Sequence, residues 1–246
     1  MRASAYLPVF FGELPESGDV IELAGDEGAH AVRVRRMRVG EGLRIADGQG
    51  KYADCEITEV TGKALRAWIT ERGESLEPTP RLVVAQALPK GDRGGLAVEL
   101  MTEAGVDEII PWQAATCVSR WADDVKAAKG RAKWQATARE AAKQSRRTRV
   151  PVIAEAVDTE ALAERIAGRT AIVLHESTAM PIADADITGA DEIIVIVGPE
   201  GGVTRGEIEL LTDAGAQAVR LGPEVLRTST AGLVALSWLA SRSGRW

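Results

Sequence analysis

The sequence contains few cysteines, histidines and aromatic residues. Of its 246 residues, two are cysteine and two are histidine, and the aromatic residues make up 4%. Cys55 and Cys117 are too few for a disulfide framework, and with so few histidines the chain has no metal-ligand cluster of recognisable spacing. We therefore expect no metal. The core must consist mainly of alanine, valine, leucine and isoleucine.

Long apolar segments are also missing. The longest stretch without a charged residue covers residues 228–241, which is 14 residues and too short to cross a bilayer. The chain is 45% hydrophobic and 27% charged, as is typical of a folded globular protein. These features predict a protein that is not embedded in a membrane and is located in the cytoplasm.

The charges are unevenly distributed along the chain. The net charge of −6 argues against a generally sticky nucleic-acid binder. Residues 126–149, however, carry nine lysines and arginines against one glutamate, and residues 30–51 carry six against two acidic residues. A single basic run is usually a solvated face, but two of them in an acidic protein favour a polyanionic partner.

Residues 1–76 predict a small β-rich unit, a barrel. Short segments alternate apolar and charged residues between glycine-containing turns, which favours strands at 19–23, 43–46, 55–60 and 64–70. One strongly basic stretch, 28–38, is typical of a helix or helical turn. Pro78 and Pro80 then stiffen the link to the rest of the chain.

Residues 81–246 alternate strands with helices, so they predict an α/β domain with a mainly parallel sheet. The expected strands are at 82–87, 108–111, 171–175, 192–197 and 218–221. The expected helices are at 95–104, 122–144, 159–167, 204–214 and 230–241.

A glycine-rich loop follows the strand predicted at 192–197. Its residues are Gly198, Pro199, Glu200, Gly201 and Gly202, and a helix begins directly afterwards. In parallel sheets, ligands bind beyond the carboxyl ends of the strands, where glycines and a helix start let backbone N–H groups approach an anion. A tight turn is the alternative, but it rarely needs three glycines.

A second such element follows the strand predicted at 218–221 and contains Gly222 and Arg227. The hydroxyls at 228–230 are explained equally well by helix capping and by ligand contact. His175 ends another strand, where a hydrogen-bonded supporting role is the usual one for a lone histidine. Neither loop matches the Walker A or the dinucleotide-binding pattern, which disfavours an NTPase or a dehydrogenase.

Several motifs occur in order along nearly the whole chain. They are His30-x-x-Arg33-x-x-Arg36-Met37, Lys90-Gly91-Asp92-Arg93, Glu103-Ala104-Gly105-Val106, Gln144-Ser145-x-Arg147-x-Arg149-Val150-Pro151, residues 198–202 and residues 221–228. Together they resemble the motifs of the bacterial 16S ribosomal RNA uracil-N3 methyltransferases, members of the SPOUT or trefoil-knot superfamily. Two positions depart from the family pattern, since Ser229 replaces the usual glutamate and Leu100 replaces an expected lysine.

The resemblance implies an N-terminal PUA-like β-barrel at 1–76 that binds RNA and a SPOUT methyltransferase domain at 81–246 with a C-terminal knot. It further implies S-adenosylmethionine as the cofactor, bound by the knot. The cofactor-binding residues it implies are Leu174, Gly198, Pro199, Gly201, Leu221, Gly222, Leu226 and Thr228.

The implied reaction needs help from the protein because N3 of uracil still carries a proton. Glu200 is the expected base or proton acceptor, and Arg227 is expected to stabilise the resulting anion, although either residue could instead orient the cofactor or bind phosphate. The target base must be unpaired and turned out of its stack. The residues expected to bind the RNA phosphates are Arg33, Arg35, Arg36, Arg38, Arg147 and Arg149.

The implied partners are 16S ribosomal RNA or the small ribosomal subunit, and a second copy of the chain. The uncharged helix at 230–241 is apolar on nearly every side, so it is not expected to face water. It is either buried wholly inside the α/β domain or covers one face of the sheet and offers its other face to a second copy, and the second alternative is favoured and predicts a homodimer. Trp121 and Trp134 are candidates for stacking on bases, but burial in the core is their expected place. Two alternatives stay open: a non-catalytic RNA-binding or assembly protein, and an α/β enzyme with another phosphate-bearing ligand.

Overall fold

The chain forms two compact units in a computed structural model that describes residues 7–246. The first unit comprises residues 7–77 together with Ala142–Val150, and the second comprises Pro78–Ala141 together with Pro151–Trp246. Residues 1–6 of the predicted N-terminal domain lie outside the described residues.

The segment Ala142–Val150 belongs to the first unit, although it lies within the range 81–246 predicted for the second domain. In the structure, Ala142 packs in a small buried cluster with Phe11 of the first unit. The N–H of Val150 donates a hydrogen bond to the carbonyl of Gly48 at 2.9 Å. The segment therefore belongs to the first unit, which it joins by burial and by backbone pairing.

The first unit is built on one five-stranded sheet, in the order β1-β3-β4-β5-β2, with β1 parallel to β3 and the other neighbours antiparallel. Its elements are β1 (Val9–Phe11), β2 (Val20–Leu23), α1 (Gly25–Ala29), a π-helical turn (His30–Val34), β3 (Gly42–Ala46), β4 (Lys51–Thr61) and β5 (Ala64–Glu74). Both edge strands supply side chains to the same core, since Phe10 and Ile21 belong to one buried cluster. The sheet thus curls around its core, as the predicted barrel requires.

Two details of this unit were not predicted. Strand β1 has three consecutive buried residues and therefore lacks the alternation that marks the other strands. The helix predicted at 28–38 begins earlier, with α1, and ends with the π-helical turn at Val34. Arg36 has a φ of +55°, which is incompatible with a continuing right-handed helix.

The second unit alternates strands and helices, and its six-stranded sheet is parallel throughout, in the order β11-β9-β10-β6-β7-β8. This confirms the predicted α/β class. Its elements are β6 (Arg81–Ala87), α2 (Arg93–Glu103), β7 (Glu108–Trp112), α3 (Asp124–Gln144), β8 (Val152–Ile153), α4 (Thr159–Ile166), β9 (Thr170–Leu174), a 3-10 turn (Ile182–Asp184), β10 (Glu192–Val197), α5 (Arg205–Asp213), β11 (Gln217–Val219) and α6 (Thr228–Arg242).

The central strands are buried on both faces. All of β6 after Arg81 and all of β10 after Glu192 are buried, which explains their continuous apolar sequences. Strand β8 has only two residues and gave no signal in the sequence. Because the strands are parallel, the loops that follow β6, β9, β10 and β11 emerge at the same edge of the sheet.

Helix α6 lies against α2 and the sheet. A Cβ atom at Gly232 would lie 2.6 Å from Sδ of Met101 in α2, so glycine allows the two helices to approach closely. Leu236 and Leu239 are fully buried, whereas Val234 is 40% exposed. Within residues 7–246, no helix combines the length and the apolar character needed to cross a bilayer.

Candidate active site

A cleft of about 620 Å³ opens at the carboxyl ends of β9, β10 and β11. Its walls are the segments 174–176, 197–203 and 220–228, together with Arg93 and Ala231. Open α/β sheets bind ligands at this edge, and the volume lies in the range of about 300–1,000 Å³ that is common for small-molecule sites. The cleft is therefore the candidate active site.

Glu200 lies in the loop between β10 and α5, and two donors fix the orientation of its carboxylate. Its Oε1 accepts a hydrogen bond from the N–H of Lys90 at 3.2 Å and forms an ion pair with Nη1 of Arg93 at 3.3 Å. Lys90 lies in the segment between β6 and α2, and Arg93 is the first residue of α2. The Glu200 side chain is 28% exposed, so the carboxylate is oriented and still accessible.

Gly201 and Gly202 are required for different reasons. A Cβ atom at Gly201 would lie 2.9 Å from Cβ of Thr116, which packs against the loop. The Thr116 hydroxyl also donates a hydrogen bond to the carbonyl of Gly202 at 2.6 Å. Gly202 has a φ of +77°, which favours glycine. The glycine at 201 therefore makes room for Thr116, and not only for a ligand.

Glu207, in the first turn of α5, is 7% exposed and accepts four hydrogen bonds. Oε1 accepts from the N–H of Ala115 at 2.8 Å and the hydroxyl of Thr159 at 2.9 Å. Oε2 accepts from the N–H of Thr204 at 2.9 Å and its hydroxyl at 2.8 Å. Burial acts to raise the pKa of Glu207, but the hydrogen bonds from Ala115 and Thr204 outweigh it and lower the pKa.

This network fixes the start of α5 and the segment after β7 that supports the glycine loop. No role was predicted for Glu207 from the sequence. A signal was nevertheless present, because Thr204 and Glu207 have the spacing of a capping box and form one in the structure.

Thr228 begins α6, and its hydroxyl connects three elements. It donates a hydrogen bond to the carbonyl of Gly198 at 2.7 Å and accepts one from Nε2 of Gln86, at the end of β6, at 3.0 Å. The N-cap of α6 is Arg227, and no side chain caps the helix, so helix capping, one of the two explanations left open for the hydroxyls at 228–230, does not occur. The Thr228 hydroxyl instead holds the two cleft loops together.

Arg227 lines the cleft and is exposed. Among residues 7–246, its guanidinium has no hydrogen-bond or ion-pair partner, in contrast to Arg93. A cation without a partner inside the protein is available for an anionic group of a ligand.

Every residue predicted to act in catalysis or to bind the cofactor lines this one cleft. Four charged residues for which no role was predicted also line it, and these are Arg93, Glu176, Arg220 and Glu224. Glu176 and Glu224 follow predicted strand ends, where the position itself was a signal. His175 accepts a hydrogen bond at Nδ1 from the N–H of Ser177 at 3.2 Å, consistent with the supporting role expected of it.

The arginines predicted to bind RNA fall into two groups. Arg33, Arg35, Arg36 and Arg38 are exposed, and their guanidinium groups make no hydrogen bond or ion pair with any of residues 7–246. They lie in or directly after the π-helical turn of the first unit. Their positive charge is therefore free to meet an external polyanion.

Arg147 and Arg149 are half-buried. Nη2 of Arg149 donates a hydrogen bond to the carbonyl of Ser75 at 2.7 Å, and its guanidinium fills the space where a Cβ at Gly50 would lie. Arg149 therefore connects the segment Ala142–Val150 to the end of β5. Its contacts give it a structural role that the sequence did not indicate.

Both cysteines are buried, at 3% exposure for Cys55 and 5% for Cys117. Burial raises the pKa of the Cys55 thiol to about 12, and burial likewise raises the pKa of Cys117. Both thiols stay protonated near neutral pH and lie outside the cleft, so neither is suited to act as a nucleophile there. Within residues 7–246, no three His, Cys, Asp or Glu side chains are grouped to hold a metal ion.

The chain thus combines a β-rich unit with an α/β unit that has a candidate ligand site at the ends of its strands. Profiles of known families match both units. A profile of an RNA methyltransferase domain matches residues 76–240, and a profile of an RNA methyltransferase PUA domain matches residues 23–67. These matches define the class as an RNA methyltransferase with a PUA domain.

Curated relatives narrow the class. Ribosomal RNA small subunit methyltransferase E of Mycobacterium bovis is 45% identical over 238 residues, which cover 95% of this chain and 90% of the relative. The protein of the same name from Bacillus subtilis is 32% identical, with 90% of each chain covered. The chain belongs to the ribosomal RNA small subunit methyltransferase E family.

Solved structures of similar proteins agree in fold. The crystal structure of a ribosomal RNA small subunit methyltransferase E from Neisseria gonorrhoeae bound to S-adenosylmethionine has a TM-score of 0.85 and 28% identity, with 96% of this chain and 98% of that chain covered. A putative methyltransferase from Legionella pneumophila, also in complex with S-adenosylmethionine, has a TM-score of 0.84 and 29% identity over 96% and 98% of the two chains.

Proposed function

We propose that this protein transfers a methyl group from S-adenosylmethionine to N3 of a uridine in the 16S ribosomal RNA of the small ribosomal subunit. One observation carries the proposal. All the residues predicted for catalysis and for cofactor binding line a single cleft, in a chain whose relatives are named ribosomal RNA small subunit methyltransferases. Membership of this family favours the enzyme over a non-catalytic RNA-binding protein.

The residues of the cleft fit S-adenosylmethionine, which carries a sulfonium, an ammonium, a carboxylate and a flat adenine. The cleft has three carboxylates and three guanidinium groups among glycine and aliphatic residues. The cationic and the anionic groups of the cofactor can therefore each lie near a side chain of opposite charge. The proteins from Neisseria gonorrhoeae and Legionella pneumophila bind the same cofactor. The residues we propose to hold it are Leu174, Gly198, Pro199, Gly201, Leu221, Gly222, Leu226 and Thr228.

The bound cofactor supplies an electrophilic methyl group, and the protein must make N3 of uracil nucleophilic. Glu200, held by Arg93 and the N–H of Lys90, is our candidate for accepting the N3 proton. Arg227, whose guanidinium has no partner among residues 7–246, is our candidate for stabilising the negative charge on O2 and O4. No covalent enzyme intermediate is needed.

The RNA must present its target base unpaired and turned out of its stack, since N3 lies on the pairing edge. The four exposed arginines at 33, 35, 36 and 38 are our candidates for contacts with the surrounding phosphates. Arg147 and Arg149 were predicted to share this role. Because Arg149 already binds the carbonyl of Ser75, we propose the four exposed arginines, and not Arg149, for the contacts with phosphates.

We further propose that the α/β unit has the trefoil knot of the SPOUT enzymes and that the protein acts in the cytoplasm as a homodimer. Val225, Leu226 and Val234 are 79%, 38% and 40% exposed, so apolar side chains near α6 and the cleft are open to a second copy. In sedimentation at low micromolar concentration, a dimer has twice the chain mass of 26.2 kDa. A fully active monomer would contradict this part of the proposal.

Methyl transfer to small ribosomal subunits that lack the modification tests the function. Purified protein, radiolabelled S-adenosylmethionine and such subunits should give label in 16S ribosomal RNA, and mapping should find it at N3 of one uridine. Free 16S ribosomal RNA, assayed in parallel, determines whether the assembled subunit is required. Label at another atom or base would refute the proposed specificity, and no label on either substrate would refute the activity.

A further inference from the structure

A second cavity lies within the α/β unit, beside the carboxyl end of β6, and it shares no lining residue with the cleft. Its volume is about 120 Å³. Part of its wall comes from the segment between β6 and α2, and part comes from Trp121 and from Lys133 and Trp134 of α3. None of these α3 residues contributes to the cleft.

The two sites share one segment of chain. The N–H of Lys90 and the side chain of Arg93 bind the carboxylate of Glu200 in the cleft. Gly91, which follows Lys90, and Gly94, which follows Arg93 in the first turn of α2, line the cavity. A group bound in the cavity would therefore touch the segment that orients Glu200.

The Trp134 side chain is 5% exposed, and its indole N–H has no acceptor among residues 7–246. The nitrogen is not one of the buried polar atoms that lack a partner, so it keeps contact with solvent. Nε1 lies close to Gly94, where a Cβ atom would be only 2.9 Å away. Glycine at this position leaves the N–H accessible from the cavity, where it is available to a hydrogen-bond acceptor of a ligand.

Aromatic surface lies beside this donor. The rings of Trp121 and Trp134 are in an edge-to-face arrangement with centroids 5.4 Å apart. Trp121 is half-buried and packs over Gly130 of α3, where a Cβ atom would lie 2.3 Å from its ring. A flat ligand thus meets a partly open aromatic ring next to a hydrogen-bond donor.

Positive charge completes the site. Nζ of Lys133 forms an ion pair with Oδ1 of Asp92 at 3.0 Å, and the side chains are 66% and 98% exposed. Asp92 precedes α2 but does not cap it with its side chain, so the first turn of α2 retains N–H groups that attract an anion. An exposed, solvated partner such as Asp92 is easily exchanged for a phosphate on Lys133.

We propose that this cavity binds a second nucleotide of the RNA substrate, one that is not methylated. Its base contacts the two tryptophans, a base carbonyl accepts the hydrogen bond of Trp134 Nε1, and its phosphate lies near Lys133 and the start of α2. Single-stranded RNA is commonly held by such a pairing of aromatic and basic groups. The inference rests on the proposed function, because it requires RNA as the substrate.

Two variants test the cavity. Trp134→Phe keeps an aromatic ring and removes the N–H, and Lys133→Gln removes the charge at an exposed position. Lys126→Gln is the matched control, because Lys126 is also on α3, is 64% exposed and is paired with Asp123, but does not line the cavity. The probe is a short fluorescent single-stranded RNA containing uridines, and affinity is measured at several salt concentrations. S-adenosylmethionine affinity and unfolding curves are measured alongside.

Trp134→Phe should weaken RNA binding by about fivefold, as for one lost hydrogen bond. Lys133→Gln should weaken it and reduce the salt slope by about 1, as for one lost phosphate contact. Both variants should raise KM for small subunits, whereas Lys126→Gln and the cofactor affinities should not change. If the wild type methylates small subunits but both variants keep its RNA affinity and KM, the inference is overturned and the proposed function stands. If the wild type transfers no methyl group while both variants lose RNA affinity, the cavity stands and the proposed function fails.

Discussion

Glu200 and Glu207 lie seven residues apart, on either side of the start of α5, and their surroundings differ. The buried carboxylate of Glu207 accepts four hydrogen bonds from neighbouring backbone and hydroxyl groups, so no lone pair is left for a substrate. Glu200 is oriented by Arg93 and by the N–H of Lys90, and it lines the cleft with part of its side chain exposed. A carboxylate whose hydrogen-bond acceptors are all occupied within the protein stabilises the structure, whereas one that is oriented but accessible is available to react with a substrate.

The same contrast separates two groups of basic residues. The guanidinium of Arg149 is bound to the carbonyl of Ser75, and it connects the segment Ala142–Val150 to the end of β5. Arg33 and Arg36 are exposed, without a partner for their guanidinium groups among residues 7–246. Identical side chains thus differ in whether their charge is already used inside the protein.

The largest effect should come from Glu200→Gln, which removes the proton acceptor but keeps the shape of the side chain. We expect the rate of methyl transfer to fall by about 10²–10⁴-fold, the usual contribution of a general base. The free energy of unfolding should change by less than about 0.5 kcal/mol, because the position is on the surface of the cleft. Single-turnover methylation of small subunits and urea unfolding measure the two quantities.

Glu209→Gln is the control for this experiment, since Glu209 is an exposed carboxylate of α5 whose ion pair with Arg205 lies outside the cleft. Its activity should equal that of the wild type. An active Glu200→Gln enzyme would show that Glu200 only orients its loop and that the comparison with Glu207 does not separate chemistry from structure.

Glu207→Gln should act mainly on stability. The amide would place an NH₂ group against donors and lose the charge that strengthens the four hydrogen bonds, so we expect a loss of about 2–3 kcal/mol in the free energy of unfolding. Thermal and urea unfolding measure this loss. Residual activity per folded molecule should exceed that of Glu200→Gln, and the reverse order would contradict the assignment of Glu207 as a structural carboxylate.

Acid should remove part of the same stability. Because the folded-state pKa of Glu207 is lowered, its contribution is fully present above the unfolded value of about 4.3 and is lost as the pH falls through the folded pKa. Urea unfolding from pH 6 down to pH 3 should therefore show a shallower acid loss in Glu207→Gln than in the wild type. Equal slopes would mean that the charge of Glu207 contributes little.

Glu192 should also contribute to the acid-dependent loss of stability in the wild type, in the same direction as Glu207. Burial acts to raise its pKa, but hydrogen bonds and charges from Arg165 and Arg169 outweigh it and lower the pKa. Its contribution is likewise present at neutral pH and lost in acid, and it remains in Glu207→Gln. The variant should consequently retain part of the acid loss and not all of it.

The smallest effect concerns the arginines. Arg33→Gln with Arg36→Gln should lower RNA affinity and reduce the salt slope of binding by about 2, one for each lost phosphate contact, while cofactor affinity stays unchanged. Arg149→Gln is the comparison variant and should lower stability with little change in the slope. If Arg149→Gln reduced the slope and the double variant did not, the two groups of arginines would have the opposite roles.

Much of the fold could be predicted from the sequence, because the patterns that indicate its elements involve only neighbouring residues. The apolar runs at β6 and β10 need two covered faces, so they predict a parallel sheet before any contact is known. Strands β1 and β8 were not predicted, because strands of three and two residues are too short to show a periodic pattern of apolar residues. Their pairing depends on partners distant in the sequence, β3 and β7 respectively.

The cleft was predictable for a related reason. Loops after parallel strands must meet at one edge, so glycine-rich loops after β10 and β11 point to one site. What lies beneath these loops was not predictable. Thr116 fills the space beside Gly201, and Gln86 binds the Thr228 hydroxyl, and both contacts join segments far apart in the chain.

The sequence by itself determined the α/β class, the order of its main elements and the two loops that form the cleft, because hydrophobic periodicity and glycine placement act over a few residues. Only the tertiary structure decided which charged groups remain available. Glu200 and Glu207, or Arg33 and Arg149, look alike in the sequence. Their difference depends on whether distant backbone carbonyls, N–H groups and hydroxyls come within hydrogen-bond distance, and only the packing of the folded chain establishes that.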